Sequence, residues 1–415
     1  MFARTVLAAL ALTLAACQSM SPPATAPAAA AAPPPAWQQG RTADQATSTL
    51  APHAGRNTAT PTAEIPLSTF KLPPGFKAEI WATGIPGARA MARGESGKIY
   101  IGTRGIGRVY EITDTGTQRV SRVVVDKLVQ PAGVAVKDGS LYVIAIDKAL
   151  RYDGIEKNPA VAPVDMTAVF SLPKEQHHNW KYIAFGPDNK LYVPFGAPCN
   201  ICEPTAEYAQ IRRYNADGSG MEVIARGVRN TQGFAWHPVT KEMWFTDHGR
   251  DWAGDDGPQD ELNRLAKPGN NYGFPYCHAN GIADPEIKKE DACKGVTRPA
   301  ALMGSHAAVM GVKFYTGKMF PAEYQNTMFL VRKGSWNRTK PNGFDVVNVR
   351  VAQDGKATYK PFATGFQQGA ENYNFWGRPA YVQQMPDGAM LLSDEQTGAI
   401  YRISYERPKG AAKKQ

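Results

Sequence analysis

The chain has 415 residues, of which 43% are hydrophobic, and a net charge of +10. Beyond the amino terminus no apolar run reaches the 18 or so residues that a membrane-spanning helix requires, which excludes a body built from such helices. The lysines and arginines are scattered, apart from a basic tail at residues 407–415, and this favours a solvated basic surface over a nucleic-acid-binding protein. Attraction to an anionic membrane or substrate is the alternative interpretation of the charge.

The amino terminus has the pattern of a lipoprotein signal peptide, residues 1–17. Arg4 supplies positive charge, and the apolar run over residues 6–16 is too short to span a bilayer. The run ends in Leu-Ala-Ala-Cys, a lipobox whose small residues give a signal peptidase access to the bond before Cys17. We expect lipidation of Cys17, with an ordinary secretory signal as the alternative. Because Gln18 rather than Asp follows, we expect a periplasmic protein held at the outer membrane by its lipid alone.

The next segment, residues 18–64, is rich in Ala, Pro, Thr, Ser and Gln, and residues 24–35 are nearly all Ala and Pro. Such a composition cannot bury enough apolar surface to offset the entropy of ordering the chain. The sequence therefore predicts a disordered Ala/Pro-rich tether over residues 18–64 and one folded domain over residues 65–406. A long alanine-rich helix is the alternative, but the interspersed prolines argue against it.

One pattern recurs through the folded domain: a turn rich in Gly, Asn or Asp, followed by a short strand of aliphatic and aromatic residues. The six copies begin at residues 95, 137, 187, 238, 322 and 386. Further hydrophobic strands flank them, and helical periodicity is weak. The sequence thus predicts an all-β fold, a six-bladed β-propeller with four-stranded antiparallel blades. A seventh blade would need a hidden copy within residues 250–320, whose Gly, Pro and Asn content is more typical of an elaborated loop.

With Cys17 lipidated, four cysteines remain. An even number in an oxidising compartment predicts two disulfides, and the most economical pairing joins Cys199 to Cys202 and Cys277 to Cys293. A zinc half-site or a redox pair at Cys199 and Cys202 is the alternative, although a zinc site needs two further ligands and the other cysteines form no second C-x-x-C.

The densest group of polar residues lies at the fourth copy of the repeat. Arg229 offers a planar fork of donors for a carboxylate, and Asn230 places a donor and an acceptor beside it. The acidic, glycine-containing run over residues 247–263 suits a hard cation such as Ca²⁺, although its spacing is not that of an EF-hand. A solvated acidic loop is the alternative interpretation of this run.

Other charged residues lie before or after predicted inner strands. His178 precedes the third copy and could take a proton at neutral pH, although a lone histidine is more often structural. His306 and cations within residues 332–338 and 376–379 follow later in the chain. Because grouped cations are costly without an anion, we expect a polycarboxylate or phosphate ligand at the propeller axis. The alternative is that these side chains point to solvent on different faces.

Three segments, residues 229–233, 247–251 and 334–338, stand in a characteristic order on the predicted blades. In them the chain resembles the soluble quinoprotein sugar dehydrogenases, and most closely their sorbosone dehydrogenase-like and pyranose dehydrogenase branch. The resemblance covers roughly residues 68–405. It implies a six-bladed propeller that binds pyrroloquinoline quinone (PQQ) and Ca²⁺ and oxidises a sugar at its anomeric carbon, or an aldehyde hydrate. The electrons would leave to a separate acceptor, a cytochrome or a quinone, because the sequence has no haem motif.

The resemblance also implies roles for individual residues. His178 would be the general base that takes the hydroxyl proton while hydride passes to the quinone, and Arg229 would polarise the quinone oxygen beside Asn230. The other cofactor contacts would come from His306, Lys333, Arg338 and Arg378. The calcium ligands would come from Asp251 and from the backbone carbonyls of Gly249 and Arg250.

The sequence departs from the family pattern at three places. Ala380 stands where a second arginine near PQQ is expected, and Ala197 stands where the glucose-oxidising members have a carboxylate near the base. The acidic loop is longer, so the carbonyls of Gly257 and Pro258 are rival metal ligands. These departures leave the sugar open. A calcium-dependent propeller lactonase and a non-catalytic propeller that binds a partner or a glycan are the alternative functions.

Overall fold

Strands and loops make up most of the part of the chain that the computed structural model describes, residues 36–173, 175 and 177–407. One helical turn, α1, spans Thr167–Phe170. Short 3₁₀ helices lie at Ala36–Gln38, Ala43–Gln45, Thr62–Glu64, Leu67–Thr69 and Ala322–Tyr324. The leader with Cys17, the tether up to residue 35 and residues 408–415 of the basic tail lie outside the described residues, so the predictions made for them stay predictions.

The strands are short, as the repeat predicts. In the first half of the chain they are β1 (Phe76–Ala82), β2 (Ala88–Arg93), β3 (Ile99–Thr103), β4 (Val109–Asp114), β5 (Arg119–Val125), β6 (Gly133–Lys137), β7 (Ser140–Ile144), β8 (Ala149–Tyr152), β9 (Val164–Asp165), β10 (Ala184–Phe185), β11 (Leu191–Phe195), β12 (Gln210–Tyr214) and β13 (Glu222–Arg226). In the second half they are β14 (Phe234–Trp236), β15 (Met243–Asp247), β16 (Gln259–Leu265), β17 (Asn270–Asn271), β18 (Cys277–His278), β19 (Ile282–Ala283), β20 (Ala301–Ser305), β21 (Val309–Phe314), β22 (Met328–Arg332), β23 (Asp345–Val351), β24 (Ala357–Ala363), β25 (Pro379–Gln384), β26 (Met390–Asp394) and β27 (Ala399–Tyr405).

These strands form six antiparallel blades, which confirms the predicted propeller. Blades 1, 2, 3 and 5 consist of consecutive strands, β2 to β5, β6 to β9, β10 to β13 and β21 to β24, and blade 4 consists of β14, β15, β16 and β20. Blade 6 combines β25, β26 and β27 from the end of the chain with β1 from its beginning, and Phe76 lies opposite Tyr405. Pairing the two ends of the chain in one sheet closes the ring of blades.

Each predicted copy of the repeat is the turn and second strand of a blade. The second strands β3, β11, β15 and β26 are buried at every residue because neighbouring blades cover both of their faces. The outermost strand β5 is largely exposed. The first strands, such as β2 and β6, contact the first strands of adjacent blades and surround the axis, so the loops that precede them end at the same place.

No seventh blade lies within residues 250–320, as predicted, but the segment is not a single loop, because it also carries β16 and β20 of blade 4 and β21 of blade 5. The elaborated loop is the part between β16 and β20, residues 266–300. It contains β17, which extends blade 3 in parallel, and the small hairpin of β18 and β19. A disulfide between Cys277 and Cys293 crosses this elaboration, and a second disulfide joins Cys199 to Cys202. Both predicted pairings are therefore confirmed.

The structure differs from the predicted tether at residues 36–64, which lie against the propeller. Trp37 contacts the ring of Trp252, and the backbone N–H of Thr60 donates to the carbonyl of Thr397 at 2.8 Å. The composition averaged over this segment could not predict these contacts, because a single indole can bury a large apolar area. Backbone groups can also pair with loops that are far away in the sequence. The folded domain thus begins earlier than residue 65.

Within the described residues, no helix has both the length and the apolar character needed to cross a membrane.

Candidate active site

The loops before the inner strands converge on a cavity of about 340 Å³ at one end of the propeller axis. This volume falls in the range of small-molecule sites. Several blades contribute polar side chains, and most of the predicted site residues line the cavity: His178, Arg229, Asn230, Gly249, Asp251, His306, Lys333 and Arg378. The cavity is also lined by polar and aromatic residues that sequence reasoning did not select: Trp37, His53, Arg89, Arg104, His177, Trp180, Gln232, His248, Asp260 and Trp336.

One side of the cavity is a group of cations around a single carboxylate, here named the cation cradle: Arg89, Arg104, Lys333, Arg378 and Glu395. Arg89 Nε and Lys333 Nζ each lie 2.6 Å from Glu395 Oε2, and Arg104 Nη1 lies 3.8 Å from Oε1. Arg378 donates to the carbonyl of Gly334 at 3.0 Å, while its Nε is buried without a hydrogen-bond partner among the described residues.

The charges of the cradle do not balance, since four cations face one carboxylate. Burial opposes ionisation of Glu395, but Arg89, Lys333 and Arg104 outweigh it and hold the pKa of Glu395 well below its ordinary value. Burial, followed by the neighbouring arginines, pushes the pKa of Lys333 well below its ordinary value, and burial lowers the pKa of Arg378 to about 10. A cavity wall of this kind favours an anionic ligand, and the unpartnered Nε of Arg378 offers it a further donor.

The opposite side carries His178 in the state that a general base requires. Its Nδ1 lies 3.1 Å from the carbonyl oxygen of Ala197, and because a carbonyl only accepts, Nδ1 carries the proton and Nε2 is left as the basic nitrogen. Burial lowers the pKa of His178 well below 6.5, so the ring is neutral at neutral pH. The backbone carbonyl of Ala197 thus fixes the tautomer of His178.

The backbone holds His178 in place. His178 has a φ of 54°, in the left-handed region that few residues other than glycine adopt. Gly196, which follows β11, allows the close approach, because a Cβ there would lie 2.4 Å from the carbonyl oxygen of His178. The ring of His177 lies beside that of His178, with centroids 3.9 Å apart.

Arg229 is held by acceptors from two loops, the one that contains Asn200 and the one that follows β15. Its Nε and Nη2 donate to the backbone oxygen and Oδ1 of Asn200 at 2.8 and 2.7 Å, and Nη2 also donates to Asp251 at 3.0 Å. Its Nη1 donates to the carbonyls of Gly249, at 2.8 Å, and His248, at 3.4 Å. The predicted contact to a quinone oxygen would therefore require a ligand to share or take over one of these donors.

Asn200 is a residue that sequence reasoning missed, although it lies inside the Cys199–Cys202 pair. It is fully buried, and besides accepting from Arg229 it accepts from the N–H of Asp251 at 2.8 Å and donates to the carbonyl of Asp251 at 3.0 Å. The disulfide closes a loop of four residues around it. The signal available in the sequence was an asparagine side chain enclosed by the two cysteines of a predicted disulfide.

Asn230 belongs to a chain of hydrogen bonds across the cavity floor. Gln232 Nε2 donates to Asn230 Oδ1 at 2.6 Å, and Asn230 Nδ2 lies 3.1 Å from His248 Nδ1. His248 Nε2 lies 2.6 Å from the carbonyl of Val309, which only accepts, so His248 carries its proton on Nε2 and accepts from Asn230. The backbone N–H groups of Arg229 and Asn230 both donate to the buried carboxylate of Asp247.

The predicted calcium ligands are only partly assembled. The carbonyl of Gly249 faces the cavity but accepts from Arg229, and Asp251 pairs with Arg229 and lies 3.6 Å from His306 Nδ1. Arg250, predicted to contribute its backbone carbonyl, is not among the residues that line the cavity, and its side chain pairs with Asp284 and Glu286. The part of the chain that the structure describes holds no group of three or more His, Cys, Asp and Glu residues that could bind a metal.

Arg338 is not among the residues that line the cavity. Its guanidinium donates to the carbonyl of Asp255 and lies 3.2 Å from the carboxylate of Asp256, so it fastens the acidic loop. The predicted cofactor contact of Arg338 has no support in this arrangement. The sequence motif placed Arg338 near the site but could not show which way its side chain points.

A family profile described as TrAA12-like matches residues 70–406. The chain belongs to the TrAA12-like family. A relative from Borreliella burgdorferi, itself uncharacterised, is 31% identical over 354 residues, which are 82% of this chain and 92% of that protein. The calcium structure of the Trichoderma reesei Carbohydrate-Active Enzymes Family AA12 has a TM-score of 0.67 at 19% identity, covering 81% of this chain and 97% of the other. The holo form of the pyranose dehydrogenase PQQ domain from Coprinopsis cinerea has a TM-score of 0.66 at 19% identity, with the same coverage. At these identities the two structures show that this TrAA12-like protein shares their fold.

Proposed function

We propose that the protein is a PQQ-dependent dehydrogenase that oxidises an aldose or an aldehyde sugar. The observation that carries the proposal is a single cavity with an excess of cations on one side and a neutral histidine on the other. The Nε2 of this histidine, His178, has no hydrogen-bond partner among the described residues and can take a proton. Membership of the TrAA12-like family and the fold shared with a PQQ domain support the same function.

PQQ fits the cation cradle in its chemistry. It carries three carboxylates and a quinone on a flat ring system, and the cradle offers Arg89, Arg104, Lys333 and Arg378 against one internal carboxylate. A bound polycarboxylate would remove the charge imbalance and give the buried Nε of Arg378 a partner. We assign Arg89, Arg104, Lys333 and Arg378 to its carboxylates, and His306, which also lines the cavity, to a supporting contact.

The chemistry divides between the cofactor and the protein. When bound, PQQ supplies the quinone that accepts a hydride and is reduced by two electrons. His178 Nε2 takes the proton of the sugar hydroxyl, so that the C–OH carbon becomes a carbonyl as its hydrogen leaves. The carbonyl of Ala197 stabilises the imidazolium that results by accepting from Nδ1. Asp247 accepts from the backbone N–H groups of Arg229 and Asn230 and so fixes both residues. Their side chains would hold the ligand at the right position relative to His178.

We retain Ca²⁺ in the proposal as an ion bound jointly by protein and ligand. Support comes from the two oxygen groups of Gly249 and Asp251 that face the cavity and from a similar fold whose structure is described as a calcium structure. Because Arg229 already occupies both groups, Ca²⁺ has to compete with a guanidinium. We therefore expect Ca²⁺ to bind weakly to the protein alone and more tightly once PQQ is present.

The alternatives explain fewer observations. A lactonase that binds Ca²⁺ through side-chain carboxylates would need a cluster of acids, which the described residues do not contain. A non-catalytic propeller leaves unexplained why His178 is held in a left-handed conformation with one nitrogen free. Lipid attachment at Cys17, a periplasmic location at the outer membrane and transfer of electrons to a cytochrome or quinone remain part of this proposal on sequence grounds.

Reconstitution tests the proposal directly. Purified protein is titrated with PQQ and CaCl₂ while absorbance is recorded, and then a redox dye is added with a panel of aldoses and sugar aldehydes. We expect saturable PQQ binding and dye reduction with at least one sugar. A chelator such as EGTA should weaken PQQ binding, and added Ca²⁺ should restore it. If PQQ causes no absorbance change and no substrate reduces the dye, the protein is not a PQQ-dependent dehydrogenase.

A further inference from the structure

A segment outside the family match forms part of the cavity wall. Residues Trp37–His53, here named the strap, precede the matched region, which begins at residue 70. Nevertheless Trp37, Ala51, Pro52 and His53 line the cavity together with the loops of the propeller. The strap therefore belongs to the site without belonging to the shared domain.

Hydrogen bonds attach the strap to loops that hold the site residues. Asn200 Nδ2, from the residue that binds Arg229, donates to the carbonyl of Gln39 at 2.9 Å. Arg250 Nη2 donates to the carbonyl of Gly40 at 2.6 Å, and this arginine is fully buried and paired with Asp284. The predicted metal residue Arg250 thus anchors the strap with its side chain.

The far end of the strap is attached as well. His53 Nε2 donates to the carbonyl of Ser335 at 3.0 Å, and the His53 ring packs against Tyr373 and Phe375 with centroids 5.0 and 4.8 Å away. The strap consequently runs from the acidic loop of blade 4 to the loops of blades 5 and 6. Its course is set at both ends by buried or half-buried contacts.

Aromatic packing fixes the first residue of the strap. The Trp37 indole lies edge-on to Trp336, with centroids 5.9 Å apart, and tilted against the fully buried Trp252, 6.3 Å away. Arg41 covers the Trp252 ring at 4.1 Å. Three indoles and a guanidinium make this corner of the cavity rigid and largely apolar.

The strap presents no charged side chain to the cavity. Trp37, Ala51 and Pro52 are apolar, and His53 is neutral because burial, followed by the charge of Arg378, lowers its pKa to about 4. The cations lie on the propeller itself. The strap therefore adds a wall that suits an uncharged group, such as a sugar ring, rather than a carboxylate.

We propose that the strap is the specificity-determining wall of the sugar site, which encloses one uncharged sugar ring or a comparably small sugar aldehyde and excludes longer chains. The inference rests on the proposed function. The cavity measures about 340 Å³ and, under the proposed function, also receives the cofactor. With the strap in place, the remaining space suits a small substrate and not a longer chain. Trp37 forms an apolar face against the ring, and Ala51 and Pro52 form the rim through which a longer sugar would have to pass.

The experiment compares sugars of increasing length on the full-length protein loaded with PQQ. The Trp37→Ala substitution removes the apolar face, so we expect kcat/KM for a trisaccharide relative to its monosaccharide to rise by at least about 10-fold. Ala51→Trp adds bulk at the exposed rim, and we expect it to lower the same ratio by about 10-fold. The two substitutions act in opposite directions, so a fold defect in one cannot imitate the pattern.

Thr49→Ala is the matched control, because Thr49 is an exposed strap residue that does not line the cavity. We expect it to leave the length ratio unchanged. PQQ affinity and the melting temperature are measured for every variant, to separate a change of specificity from loss of cofactor or fold. A wild-type protein that turns over sugars while Trp37→Ala and Ala51→Trp keep its length ratio would overturn the role of the strap. A wild-type protein that does not bind PQQ would instead overturn the proposed function.

Discussion

The cation cradle and the histidine side of the same cavity stabilise their polar groups in opposite ways. In the cradle, Arg89, Lys333 and their neighbours surround Glu395, and the charges exceed what the carboxylate can balance. On the histidine side, His178 and His248 donate to backbone carbonyls and remain neutral. The cradle therefore favours an anionic ligand that balances its charge. The histidine side needs no such ligand and keeps a basic nitrogen on His178.

Under the proposed function, this difference allows one cavity to bind a polyanionic cofactor and still hold a neutral base. A carboxylate next to His178 would raise the pKa of His178. A second carboxylate in the cradle would weaken the attraction of the cradle for an anionic cofactor. Backbone carbonyls on one side and a single shared carboxylate on the other avoid both effects. The five experiments below test this division, beginning with the largest expected effect.

Replacing His178 by alanine removes the basic nitrogen and leaves the cradle intact. We expect kcat/KM for the best sugar to fall by about 10²- to 10⁴-fold, the usual contribution of a general base. The titration with PQQ should be nearly unchanged. His177→Ala is the matched comparison, because His177 is a neighbouring histidine that lines the same cavity. A larger loss in His177→Ala than in His178→Ala would transfer the role of base to His177.

Replacing Glu395 by glutamine leaves four cations in the cradle without their carboxylate. Breaking a buried ion pair by removing one partner typically costs about 3–5 kcal/mol, so we expect the free energy of unfolding of the cofactor-free protein to fall by about 3 kcal/mol. PQQ should recover more of this loss than it adds to the wild-type protein, because its carboxylates replace Glu395. Denaturant unfolding with and without PQQ measures both quantities. An equal stabilisation by PQQ in the two proteins would contradict the assignment of the cradle to the cofactor.

Replacing Lys333 by methionine keeps the packing of the side chain but removes one cation. A hydrogen bond to a charged group contributes about 1.5–3 kcal/mol, so PQQ affinity should fall by roughly 10- to 100-fold. Lys356→Met, at a largely exposed lysine, serves as the control and should leave the affinity unchanged. If Lys333→Met binds PQQ as tightly as the wild type does, Lys333 only neutralises Glu395.

The neutral histidines predict a smaller, pH-dependent effect on stability. Burial lowers the pKa of both His53 and His177 from 6.5 to about 4, so between these values the unfolded chain binds protons that the folded protein does not. The free energy of unfolding should therefore decrease as the pH falls from 6.5 towards 4. Thermal melting across this range measures it, and the double variant His53→Gln/His177→Gln should show a shallower decrease. A melting temperature that rises on acidification would contradict the neutral state.

The pH dependence of activity follows from the same reasoning. Because His178 titrates well below 6.5 in the free protein, the acid limb of kcat/KM should lie below that value.

Much of the fold could be predicted from the sequence because its signals are local. The turn-and-strand repeat recurs as the second strand of all six blades, and each cysteine pair closes a short loop within a single region. His178, Arg229 and Asn230 were predictable for a related reason. They lie in short motifs directly before inner strands, and the propeller brings these positions to the axis.

The sequence could not reveal partners that come from distant parts of the chain. Arg89 and Glu395 are 306 residues apart, yet they form the centre of the cradle because blade 6 lies next to blade 1. Arg338 shows the opposite case, since its motif indicated the site but its side chain binds the acidic loop. No local pattern distinguishes an arginine that faces the cavity from one that does not.

The sequence by itself thus determined the six-bladed repeat, the two disulfides and the residues that the blades carry to the axis, because turn chemistry, strand alternation and short-range cysteine pairing are properties of neighbouring residues. Only the tertiary structure decided that Glu395 lies among four cations, that Asn200 holds Arg229, and that Trp37 and residues 51–53 line the cavity. Those features depend on contacts between loops that are far apart in the sequence, and no short stretch of sequence contains both partners.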